Sequence, residues 1–176
     1  MMRSYMGSGF KRRFLGLCLP PLVVAPIDGI LTLIGQSDLY WSNHLFANEA
    51  NPVFRALLQI HPVAVLGGLA VWLALLCALI LLLPIRIALI LSIAITFAHT
   101  SGSASWLIEH FDLGYNLANG YYLLSACMLG EGIRHALGRA TEPDRVLNLD
   151  MATRLKLGAA VFGVGALVFL VPWQTG

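Results

Sequence analysis

Two titratable side chains stand in apolar stretches where nothing requires them for solubility. Asp28 lies in PIDGILTLIG, and His99 in SIAITFAHTSGSASWLIEH, residues 92–110. In the second stretch Ser92, Thr96, His99, Ser103, Trp106 and His110 recur at alternating steps of four and three, so a helix gathers them on one face. Lipid cannot satisfy an imidazole and several hydroxyls, so that face needs a neighbouring helix or a wet cleft. A charged carboxylate at mid-membrane costs ~2.5–3.5 kcal/mol on insertion scales, so Asp28 also needs a partner. His99 is the basic candidate at matching depth. A carboxylate beside an imidazole fixes its tautomer and orientation, as in metal sites and catalytic dyads. The same groups, bonded to each other or to Thr32, Thr96 or Ser103, would equally well lock a bundle together.

Glu49, Asn51, His44 and His61 fall in a polar segment on the side toward which Asp28 and His99 are displaced. Three ligands from Asp28, Glu49 and His99, with His61 or His110, would make a divalent-metal site with an open position for water. The chain has no H-E-x-x-H and no paired H-x-x-x-H to strengthen that reading. Ser103 follows His99 at i+4, where a serine readily bonds its own backbone carbonyl rather than serving as a nucleophile. The rhomboid-protease pattern, Gly-x-Ser-Gly on one helix and a catalytic His on a later one, is absent. Glu131 and Arg134, three apart, read as a surface ion pair. Cys18, Cys77 and Cys127 lie in apolar runs without C-x-x-C spacing and read as small core residues.

The elements that must position these groups are membrane spans. Of the 176 residues 58 % are hydrophobic and only 11 % charged, with a mean hydropathy of +0.78, which excludes a soluble domain. The expected fold is all-α: a polytopic membrane bundle of five transmembrane helices, about 14–35, 63–83, 87–108, 118–137 and 157–173, forming a single domain. Pro20, Pro21 and Pro26 interrupt the first span, which is therefore kinked or starts properly only near Pro20. At ~1.5 Å per residue Asp28 lies about 22 Å beyond Arg13, and His99 about 20 Å beyond Arg86, against a ~30 Å hydrocarbon core. Asn51-Pro52 caps a short amphipathic helix over residues 52–61 on the outer surface, and His61-Pro62 ends it. Gly67-Gly68 in the second span permits close helix contact. Asn119, Tyr122 and Ser125 make a polar row on the fourth span.

Orientation follows from where the cations lie. With the N-terminus in the cytoplasm, Arg3, Lys11, Arg12, Arg13, Arg86, Arg134, Arg139, Arg145, Arg154 and Lys156 fall inside and only Arg55 outside. Trp41, Trp106, Tyr115, Tyr121, Tyr122 and Trp173 then form an outer aromatic belt. The net charge of +2 is thus accounted for by membrane topology, with the lipid bilayer as partner and no nucleic acid. The expected location is the inner cell membrane, the first span uncleaved because Pro26 follows the one small-residue cleavage candidate, and the C-terminus extracytoplasmic.

Asp28-x-x-x-Thr32 on the first span, followed by Glu49-x-Asn51-Pro52 and an apolar helix, resembles a family of small uncharacterised bacterial and archaeal membrane proteins classed as a domain of unknown function. The resemblance covers the first half of the chain and implies that Asp28, Thr32, Glu49 and Asn51 belong to one unit. The function expected from the residues is an outward-opening polar pocket built on Asp28, Thr32, Glu49, Asn51, His99, Ser103 and Asn119. It would bind a cation, proton or small polar ligand, or dock a partner helix. The rivals are a membrane-embedded hydrolase at the outer leaflet, with Asp28, Glu49 and His99 as metal ligands or acid/base groups, and an accessory subunit meeting a membrane-protein partner through Gly158, Gly163 and Gly165.

Overall fold

The computed structural model describes residues 11–110 and 114–137, with isolated positions between 150 and 159. All elements among them are helical. Helix α1 runs Lys11–Ile34. The outer segment then holds α2 (Asp38–Ser42), a single 3₁₀ turn (His44–Phe46) and α3 (Pro52–Ile60). Helices α4 (Pro62–Leu82), α5 (Ile85–His110) and α6 (Gly114–Leu137) complete the bundle. Three of these, α1, α4 and α5, are long and apolar enough to cross a membrane. α6 is helical where a fourth span was expected, but its asparagines, tyrosines and Glu131 keep it less apolar. The expected fifth span, residues 157–173, lies outside the described residues apart from Ala159.

Side-chain contacts fix the directions of the helices. Arg13, at the start of α1, donates to the carbonyls of Leu81 and Leu83 at the end of α4, so those helices are antiparallel. Ser92 early in α5 bonds Leu17 early in α1, and Trp106 late in α5 covers Gly35 just beyond α1, so α1 and α5 run parallel. A β-carbon on Gly132 would collide with the Gly16 carbonyl, which places the end of α6 against the start of α1. The chain therefore goes up, down, up, down, with α5 touching every other long helix.

Proline shapes α1 without breaking it. Pro20 and Pro21 have no N–H to give the carbonyls of Gly16 and Leu17, and the helix widens to a π-turn over Phe14–Cys18. Ser92 Oγ supplies the donor that Leu17 lacks, at 2.7 Å. The Gly16 carbonyl instead lies against the bare Cα of Gly132, a close approach that any side chain would prevent.

Polar side chains share the interior with the apolar core, and large apolar ones face outward. Thr32, Ser92, Thr96, Thr100, Ser103 and Ser125 are buried, while Ile90, Phe97, Leu123 and Leu124 are exposed. Apolar contacts between α1, α4 and α5 form the core, with Ala25, Leu69, Leu73, Leu76 and Ile95 at its centre and Trp72 packed on it. Trp106, expected both on the ladder and in an outer aromatic belt, packs against the neighbouring helix. Its ring is buried over Gly35, because the ladder face of α5 turns inward along its whole described length.

Candidate functional site

Asp28 and His99 meet. Asp28 Oδ2 lies 2.8 Å from His99 Nδ1, with the two side chains 19 % and 14 % exposed. With the imidazole neutral, the bond fixes the Nδ1–H tautomer and leaves Nε2 as acceptor. Ser103 Oγ donates to the His99 carbonyl at 2.9 Å, the back-bond expected of a helical serine, and stands 3.4 Å from Asp28 Oδ1. Gly102 completes the setting, because a β-carbon there would lie 2.7 Å from Oδ1 and 2.9 Å from Oδ2. The carboxylate occupies the space that any other residue would fill.

The sixth helix adds groups that the sequence reading did not assign to the pocket. The Tyr121 hydroxyl turns toward Ser103 and Ser125 within the field of the Asp28 carboxylate. Both it and the Ser125 hydroxyl are buried with no hydrogen-bond partner among the described residues. Tyr122 makes a second link to α5, its hydroxyl donating to Ser101 Oγ at 3.1 Å. Asn119, expected in the pocket, is exposed instead. The inward stripe of α6 runs through Ala118, Ser125 and Gly132, so of the expected row Ser125 turns inward while Asn119 does not.

The outer segment is fastened over the end of α1 by Gln36, which is buried. Its amide donates to the carbonyls of Thr32 at 2.9 Å and Asn48 at 2.8 Å, and accepts from Asn48 N at 2.8 Å. Glu49 follows directly. Its carboxylate accepts from Asn51 N at 2.7 Å, and burial, aided by the nearby Asp28 charge, pushes it above the usual range. Asn51 is exposed and caps α3 by accepting from Val53 N and Phe54 N, as its place before Pro52 predicts. Thr32 is buried one turn beyond Asp28.

The candidate metal ligands can be placed one by one. Among the described residues no three His, Cys, Asp or Glu side chains converge on one point. Asp28 pairs with His99, but Glu49 is engaged by the backbone of its own turn. His61 is a cap, accepting from Val63 N at 3.1 Å to start α4, and the side chain of His110 lies outside the described residues. Ser103 faces the carboxylate rather than the imidazole's free nitrogen, the wrong side for a nucleophile activated by His99. A groove of about 270 Å³ at the start of α1, lined by Leu15, Leu19, Pro20, Met128, Glu131, Gly132 and His135, lies apart from the Asp28–His99 pair.

Glu131 and Arg134 form the expected exposed ion pair. Cys18 is buried and Cys77 half-buried on facing helices, whereas Cys127 is exposed rather than in a core. The chain matches no protein-family model, no curated protein and no solved structure.

Proposed function

We propose that the chain is a multi-pass protein of the inner cell membrane, N-terminus cytoplasmic, whose α1–α5–α6 seam is a pocket for a small cation, opening outward beneath the Gln36–Glu49 segment. In this reading α6 is a fourth span and residues 157–173 a fifth. The observation that carries it is the Asp28–His99 pair, a carboxylate largely withdrawn from water whose ion-pair partner among the described residues is an imidazole. An imidazole that donates Nδ1–H orients a carboxylate while leaving its second oxygen free for another partner, an arrangement complementary to a cation. The grouping of Asp28, Thr32, Glu49 and Asn51 implied by the family resemblance fits this division of labour. Asp28 holds the ligand, Thr32 and Asn51 shape the helix ends, and Glu49 adds negative potential at the mouth.

The test is thermal unfolding of the purified protein in detergent with sodium, potassium, ammonium, methylammonium or choline chloride at equal ionic strength. A saturable rise with at least one small cation, absent in Asp28→Asn, is expected by mass action. Identical responses to all five salts, or the same rise in Asp28→Asn, would refute a cation pocket.

A further inference from the structure

His61 joins α3 to α4 through three bonds of its own. Its N–H donates to the Leu57 carbonyl at 3.1 Å and finishes α3, its carbonyl accepts from Ala64 N at 2.9 Å, and its Nδ1 accepts from Val63 N at 3.1 Å. Pro62 has no N–H, so the Val63 N–H is the first that α4 must satisfy. A serine or asparagine cap works at any ordinary pH, but an imidazole caps only while Nδ1 keeps its lone pair. The bond therefore requires a neutral ring with its proton on Nε2.

A proton on Nδ1 removes that acceptor and sets one N–H against another. It also places a cation at the positive end of a helix of 21 residues. His44 meets His61 edge-on from the 3₁₀ turn, with centroids 5.7 Å apart and planes at 87°, so charging both rings brings two cations together. Neither histidine has an ion-pair partner among the described residues. Tyr40 of α2 lies against His44, its hydroxyl committed to the Leu58 carbonyl. Asp38 is exposed in the first turn of α2, Glu49 accepts from Asn51 N, and Arg55 of α3 donates to the Glu49 carbonyl. α4 carries no Asp, Glu, Lys or Arg.

The joint holds more than one bond. Tyr40 of α2, Leu58 of α3 and Val65 of α4 form a single buried cluster across it. Leu57 folds back onto the bare face of Gly68. His61 stands between these partners in the chain and sets the angle at which they meet.

We propose that His61 is a pH-sensitive switch, a neutral cap that holds α3 against α4 and releases it when the ring takes a proton. The window is the one in which imidazoles ordinarily charge, between about pH 8 and 5. His61 is exposed, so a proton reaches it with no opening of the bundle. The switch goes beyond the cation pocket and stands without it.

The experiment is backbone hydrogen exchange of the purified full chain in detergent at about pH 7.5 and 5.5, each rate divided by the intrinsic rate at that pH, with nitrogen NMR of labelled histidine. All samples carry Glu49→Gln, which removes the neighbouring carboxyl titration. At the lower pH the His61 ring should carry two protons, and protection of Val63 N and of the α3 amides should fall at least about fivefold. His61→Asn, whose amide oxygen caps at either pH, should hold full protection at both, and His61→Ala should show the reduced protection at both. A doubly protonated His61 with Val63 protection unchanged would overturn the switch. So would an equal acid loss in His61→Asn, full protection in His61→Ala, or a ring that stays neutral at the lower pH.

Discussion

Gly102 gives Asp28 its place: the carboxylate oxygens lie 2.7 and 2.9 Å from where a β-carbon on that glycine would be. The carboxylate cannot simply swing aside, because Oδ2 is held by His99 and the short side chain has no slack. Gly102→Ala should therefore act as a functional near-copy of Asp28→Asn. The methyl group displaces the carboxylate, the 2.8 Å bond is lost, and a buried charge-assisted hydrogen bond worth about 1.5–3 kcal/mol goes with it. Nitrogen NMR of labelled His99 reads this directly through the tautomer that the bond fixes. Wild-type imidazole shifts in Gly102→Ala would show that α1 gives way instead and that the glycine is incidental.

The bond from Ser92 to the Leu17 carbonyl exists because Pro21 cannot make it. Ser92→Ala should leave that carbonyl unsatisfied in the bundle interior, at a cost of about 1–3 kcal/mol. Pro21→Ala restores a backbone donor four residues on, so the double variant should recover much of the loss. A thermodynamic cycle on unfolding midpoints measures the coupling. Strict additivity of the two substitutions would mean that Ser92 is not standing in for the missing N–H.

The helices and the central pair were legible because hydropathy and the 3.6-residue period act locally. Asp28 and His99 could be matched by depth alone, since each lies a countable number of residues from a charged span end. Asn51 could be read as a cap from its neighbour Pro52. What escaped the sequence depends on contacts between helices. Arg13 reads as one more interfacial cation, yet it is buried against the end of α4. Trp106 reads equally as ladder or belt, and only the bare surface of Gly35 decides it. On α6 the polar residues are dense enough to support more than one stripe, so the row through Asn119 hid the orphaned hydroxyl of Tyr121. Gln36 carried no signal, because its role is set by Asn48, twelve residues on.

Arg13 closes the turn between α4 and α5 by donating to the carbonyls of Leu81 and Leu83. These lie at the negative end of α4, in the turn before Pro84, where the helix's own donors have run out. Arg13→Met should remove two charge-assisted hydrogen bonds and leave both acceptors orphaned, a loss of several times ~1 kcal/mol. Arg13→Lys should recover only part, since one ammonium cannot span two carbonyls as a planar guanidinium does. Equal unfolding midpoints for the Lys variant and wild type would reduce the arginine to a topology signal.

Glu49 links the stability of the outer segment to pH. Burial comes first and the Asp28 charge adds to it, outweighing the bond from Asn51 N, so the folded carboxyl holds its proton above the ordinary value of 4.5. A raised value in the folded state means that folding takes up a proton. The contribution to stability is complete below the ordinary glutamate range and is lost as pH rises through the folded value. Glu49→Gln, which keeps the acceptor for Asn51 N, should abolish that decline and unfold at a higher temperature than wild type near neutral pH. Asp28→Asn should lessen the decline without abolishing it, because burial is the larger cause. Hydrogen exchange of the Asn48 and Asn51 amides from pH 4 to 8 localises the effect to this segment. A pH profile for Glu49→Gln identical to wild type would show that the carboxyl at the pocket mouth is charged and solvated, and that the segment is held by Gln36 alone.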